Sequence, residues 1–181
     1  MHFERIYETG LAQASYLVGC QQSGAALVVD PRRDVDIYLE TARRERLQIT
    51  HIVETHIHAD CLSGSRELAQ LTGAELLLSD EGGPDWQYAF EHTGLRHNQV
   101  FHVGKLEVKV LHTPGHTPEH ISFLLSDRAT SSDPLLLFSG DFVFVGDVGR
   151  PDLLEKAVGL AGTQERAARQ LWDSLTLFRE L

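Results

Sequence analysis

The sequence predicts an α/β (α+β) fold in which sheets pack face to face and helices cover them on the outside. Three observations lead there. Strand-like apolar segments come in pairs joined by short polar turns, and amphipathic helical stretches lie between the pairs. The 181 residues suffice for one domain with a real core, and no run of about 18 apolar residues breaks the pattern.

The elements follow in order. ASYLVGC (14–20) and AALVVD (25–30) form a hairpin across the polar, Gly-containing QQSG. DPRRD breaks the pattern, and DVDIYLETARRERL (34–47) reads as an amphipathic helix with Val35, Leu39 and Leu47 near one face. ITHIVET (49–55) is a strand, Ser63 to Leu71 a helix stopped by Gly73, and AELLLSD (74–80) a strand. GGPDWQYAF (82–90) is irregular and aromatic. Residues 99–113 make a hairpin turning at Gly104. ISFLLSD (121–127) and LLLFSGD (135–141) are strands flanking the polar loop RATSSDP. A helix from Thr163 to the C-terminus carries Ala168, Leu171, Leu175 and Phe178 as an apolar stripe.

Composition excludes several classes. A net charge of −10 argues against a nucleic-acid partner, because phosphates require a basic face. MHFERIYETG has no apolar core of a signal peptide, and no membrane span is present. Cys20 and Cys61 form no CxxC and suggest no disulfide framework, so a cytoplasmic setting is the simplest reading.

Chemistry gathers at the strand ends. THIHAD follows 49–55, HTPGHTPEH follows 105–113, and SGD closes 135–141. Such ends converge in a sheet although they are distant in sequence. On extended backbone, alternate residues of HIHAD share one side. Imidazoles with a carboxylate suit a borderline divalent ion. Gly64, Gly115 and Gly140 permit close backbone approach.

HIHAD, PGHT and GD, spanning 56–141, resemble the metallo-β-lactamase superfamily. Within it, SGDFVFVGDVGRPDLL (139–154) is similar to the persulfide dioxygenases often fused to rhodanese domains. The resemblance implies a four-layer αββα sandwich with a metal at one edge of the sheets. It implies one Fe(II) per chain, held by His56, His116 and Asp141, with open positions for substrate and O₂. The superfamily motif is HxHxDH, and here Cys61 stands in the last place, which weakens a second metal site. The chain also stops before the segment where such proteins carry a further histidine for that site, so it is expected to be a fragment or processed domain of a longer chain.

The resemblance assigns the remaining residues. His58 belongs to the site wall, with ligation as its alternative. Asp60 orients a ligand histidine or helps hold a second ion. Cys61 fills the space of an imidazole, with sulfur handling as the other reading. Arg150 lies near the substrate pocket, or pairs with Asp147 or Asp152. Cys20 reads as core, and His112 and His120 as local structure. The implied activity is oxidation of glutathione persulfide, or a similar persulfide, by O₂ to sulfite and thiol. A homo-oligomer and a rhodanese sulfur donor are expected companions. Two other classes remain open: a glyoxalase II-like thioester hydrolase with zinc or mixed metal, and a non-catalytic or truncated binding domain.

Overall fold

The computed structural model describes residues 1–128, 130, 131, 133–156, 159 and 161–180. Ala129 and Ser132 of the expected polar loop, and Leu181 at the expected helix end, lie outside the described residues.

Two main sheets face each other. The first runs β1 (His2–Glu8), β2 (Gln13–Gly19), β3 (Ala25–Val29), β4 (Gln48–Val53), β5 (Glu75–Ser79) and β6 (Thr93–Leu95), in that spatial order. Its first three strands are antiparallel, and β3 to β6 are parallel. Parallel neighbours need crossovers. α1 (Asp36–Arg44) and α2 (Ser65–Thr72) supply two of them, between β3 and β4 and between β4 and β5. The second sheet is antiparallel, ordered β10 (Leu136–Phe138), β9 (Ile121–Asp127), β8 (Leu106–His112), β7 (Val100–Val103). A small hairpin of β11 (Val143–Phe144) and β12 (Asp147–Val148), then α3 (Leu153–Lys156) and α4 (Gln164–Phe178), complete the chain.

Alternation along the strands builds two cores. Val18, Leu27, Val29 and Val53 of the first sheet meet Val108, Val110, Phe123 and Leu125 of the second. Leu17, Val28 and Ile52 point the other way, onto Val35 at the start of α1, Tyr38 and Ala42 within it, and Leu68 of α2. Leu27 is wholly buried, and truncation of such a residue to Ala costs about 2–5 kcal/mol. α4 lies over the outer side of β8, where Leu111 meets Leu177 and Phe178 around one groove. The layers are therefore helix, sheet, sheet, helix. No described helix is long and apolar enough to cross a membrane.

Several sequence expectations are corrected. β1, β6 and the β11–β12 hairpin had no counterpart in the sequence reading. In β1 the apolar Phe3 and Tyr7 share a face with Arg5, so no apolar–polar alternation marks it. The first helix is shorter than 34–47 because it starts after Val35 and ends at Arg44. The stripe of α4 is rotated: Ala167, Leu171 and Ser174 are buried and Ala168 is exposed. Ser174 is accepted inside because its hydroxyl donates to the Pro114 carbonyl at 2.8 Å and is also placed for the Gln170 carbonyl at 2.9 Å. The stop at Gly73 matches expectation, with φ of 69° capping α2.

Candidate metal centre

The carboxyl ends of the parallel strands and one end of the second sheet open onto the same edge, where α/β sheets commonly bind ligands. β3 ends into Asp30, which holds φ of 49°. This strained geometry aims its carboxylate across to the next strand end. There Asp30 Oδ1 accepts the Thr55 backbone N–H at 2.6 Å, and Oδ2 accepts the Thr55 hydroxyl at 2.9 Å. The hydroxyl has only one proton. It therefore accepts from His56 Nδ1, 3.0 Å away, which fixes the proton on Nδ1 and leaves Nε2 as a bare lone pair. His56 is buried, and burial followed by three neighbouring imidazoles holds its pKa well below the usual range. It stands as a neutral imidazole with a free lone pair.

The other two donors arrive from the second sheet. The turn after β8 brings in His116, whose Nε2 lies 3.5 Å from Asp141 Oδ2 and whose Nδ1 is buried without a hydrogen-bond partner. Asp141 follows β10 through Gly140, which has φ of 48°. A Cβ at Gly140 would collide with the Thr55 side chain and lie 2.8 Å from His120 Nε2, so glycine lets the two sheets close at this edge. Burial raises the pKa of Asp141, with His116 opposing. One donor atom each from His56, His116 and Asp141 lie within 4.8 Å of one another. Two imidazoles and a carboxylate at that spacing fit a divalent cation.

His58 sits beside His56, with ring centroids 4.1 Å apart, but turns toward acids. Its Nε2 is 3.2 Å from Glu54 Oε2 and 3.5 Å from Asp30 Oδ1. Burial works against its charge, yet the adjoining Asp30, Cys61 and Glu54 prevail and raise its pKa strongly. His58 thus stands as an imidazolium in the wall. Asp60 is exposed and Cys61 half-buried, and one atom of each lies with the His58 ring within 4.8 Å of one another, a set that could bind an ion only once His58 gave up its proton. His120 stacks on His56 at 5.1 Å. Its Nδ1 meets the Thr113 hydroxyl at 2.9 Å, and burial keeps it neutral.

Glu119 ties the two loops together. Its Oε1 accepts the Ile57 N–H at 2.7 Å and the Thr117 hydroxyl at 3.0 Å. Asp30, Glu54 and Glu119 were not singled out from the sequence. The available signal was an acid placed directly after, or inside, a motif-bearing strand end.

A cavity of about 780 Å³ opens over the centre. His56, His58, Asp60, Cys61 and Asp141 line it, together with Arg5, Tyr16 and the hairpin residues Val143 to Val145. Arg150 is not among the lining residues. Its guanidinium forks onto Asp152 at 3.1 and 2.7 Å, the pairing that was the alternative in the sequence.

Comparison with known proteins adds the family. The model of the metallo-beta-lactamase superfamily matches residues 9–181. A hydroxyacylglutathione hydrolase of Rhodospirillum rubrum is 32% identical over 166 residues, covering 92% of this chain and 57% of that protein. One from a Polaromonas species is 38% identical over 152 residues, covering 82% and 54%. The chain spans about half the length of the curated relatives it matches. Among solved structures, a metallo-beta-lactamase from Staphylococcus aureus is 48% identical with a TM-score of 0.94, covering 99% of this chain and 53% of that one. ETHE1 from Myxococcus xanthus is 32% identical with a TM-score of 0.77, covering 97% and 68%.

These relatives correct the expected activity. The curated relatives are hydrolases by name, which overturns the persulfide dioxygenase and its oxidoreductase chemistry. The physical reason is that two histidines and a carboxylate serve zinc and iron alike, so the ligand pattern alone did not discriminate. With its layered sheets, its edge-sited histidines and a family match over nearly all its length, the chain belongs to the metallo-beta-lactamase superfamily.

Proposed function

We propose that this chain carries the hydrolytic centre of a metal-dependent thioesterase acting on acylated glutathione. The observation that carries the reading is the tautomer-fixed His56 converging with His116 and Asp141 beneath a cavity of about 780 Å³. The hydroxyacylglutathione hydrolases among its relatives supply the substrate class.

His56, His116 and Asp141 would hold the ion. A divalent cation there supplies Lewis acidity toward a thioester carbonyl and lowers the pKa of water. The residues around it do the rest. Asp30 and Thr55 keep His56 Nε2 free of its proton. Asp60 and Asp141 line the cavity and can accept hydrogen bonds from an entering water. Water adds to the carbonyl, the carbon–sulfur bond breaks, and the products are a carboxylic acid and a thiol. Half-buried His58 keeps a positive charge against the same wall.

Fe(II), the ion expected from the sequence, and Zn(II) both suit the donors. Asp60 and Cys61 adjoin the first set and offer donors to a second ion. The test loads the protein separately with Fe(II) and Zn(II) and follows hydrolysis of a hydroxyacylglutathione, with His116→Ala as control. Metal-dependent loss of the thioester, absent in the control, supports the reading. No hydrolysis by protein shown to contain either metal refutes it.

A further inference from the structure

The cavity carries a guanidinium that the metal centre does not use. Arg5 lies in the middle of β1, opposite Tyr16 of β2. The period of two places Phe3, Arg5 and Tyr7 on one face of the strand. That face is largely exposed and borders the aromatic cluster: Phe3 stacks on Tyr16 at 5.9 Å and on Phe138 at 6.5 Å. Arg5 is thus a charge at the rim of an aromatic layer, and it lines the same cavity as His56 and Asp141.

Two features show that this guanidinium is available. It has no carboxylate partner among the described residues, although the cavity wall includes Asp30, Asp60 and Asp141. It is also held in place, because its Cζ lies 4.8 Å from the centroid of the Tyr7 ring. A cation oriented by an aromatic ring and facing an open cavity is poised for a planar anion.

We propose that Arg5 is the anchor for a substrate carboxylate in this cavity, setting preference for anionic thiol carriers over neutral ones. The proposal deepens the thioesterase reading and rests on it for where the scissile bond lies, but the carboxylate contact is measurable without turnover. Glutathione has two carboxylates, and its diethyl ester has none. A charge on an edge strand can also serve only to discourage aggregation, and the test separates that use.

The experiment measures calorimetric binding of glutathione and of its diethyl ester to the metal-loaded protein, in wild type, Arg5→Gln and Arg5→Lys. The expected result is that Arg5→Gln weakens glutathione binding about five- to tenfold, as loss of a charge-assisted pair near the surface should, and leaves the ester unchanged. Arg5→Lys recovers part of the loss. The proposal is overturned if wild type binds both ligands equally or glutathione not at all. It is equally overturned if Arg5→Gln binds as wild type, weakens both ligands alike, or changes only light scattering. Thioester hydrolysis assayed alongside keeps the two readings apart. Arg5-dependent glutathione binding without hydrolysis removes the thioesterase and leaves the anchor. Hydrolysis whose KM ignores Arg5 does the reverse.

Discussion

Replacing Asp30 by Asn should damage metal binding far more than it damages the fold. The backbone N–H of Thr55 already occupies one oxygen of Asp30 at 2.6 Å, and Thr55 is fully buried. An asparagine must keep its carbonyl there, since an unpaired buried N–H costs about 1–3 kcal/mol. Its NH₂ group is then forced toward the Thr55 hydroxyl, which now accepts and must turn its own proton toward His56 Nδ1. The imidazole proton moves to Nε2, the atom that has to be bare. Disturbing such a supporting residue typically weakens a metal site about 10–100-fold, which is about 1.4–2.7 kcal/mol. His58 also loses one of its two acidic neighbours. Chelator competition would give the metal affinity, and nitrogen NMR of labelled histidine the tautomer. Wild-type affinity in Asp30→Asn, or an Nδ1-protonated His56 in the metal-free variant, would refute the chain of contacts from Asp30 through Thr55.

Other expectations follow from the same edge. Gly140→Ala should cost about 1–3 kcal/mol in urea unfolding, because the new methyl meets Thr55 and His120 at a φ of 48°. An unchanged midpoint would count against the tight closure. His120→Asn should alter acid stability with a defined sign. His120 is buried neutral, whereas the unfolded chain takes up that proton near pH 6.5, so the stability it confers falls as pH drops below that point. The stability difference between wild type and variant should shrink by about 1.4 kcal/mol per pH unit there, and a pH-independent difference would contradict the assignment. Asp141→Ala should release the ion from His56 and His116, read as metal content after gel filtration. Retention of a full equivalent would place the ion elsewhere.

Much of the fold was legible because its strong strands obey simple periods. The pairs 14–20 with 25–30 and 99–103 with 106–113, and the helix closed by Gly73, could be read from alternation and from glycines that turn the chain. β1 escaped because its exposed face mixes Phe3, Arg5 and Tyr7, while its other face sets a single buried Ile6 among His2, Glu4 and Glu8, so neither face makes an apolar stripe. α4 was placed but turned by about one position, since the buried face tolerates Ser174 with two carbonyls near its hydroxyl. The α4 miss has a simple cause: a polar group placed inside for a specific contact looks, in sequence, like a surface residue, whereas β1 lies at a sheet edge where apolar side chains stay exposed.

The site follows the same rule at higher stakes. The convergence of His56, His116 and Asp141 was readable because histidines and acids cluster in short motifs at strand ends. The groups that decide what those donors can do are spread over the chain. Asp30 sits 26 residues before His56 and reaches it only because β3 and β4 pair in parallel, bringing both strand ends to one edge. Glu119 lies 62 residues from Ile57, whose N–H it receives. No local pattern encodes either contact. The choice of activity was hidden for a further reason. A ligand set fixes charge and geometry at the ion, but substrate preference depends on what lines the space above it. Here that space is formed by β1, β2 and the β11–β12 hairpin, and neither β1 nor the hairpin announced itself in the sequence. The motif therefore located the chemistry, while the selectivity of the centre lies in Arg5 and its neighbours, which is why binding by Arg5 variants bears more directly on substrate class than any change to the three donors.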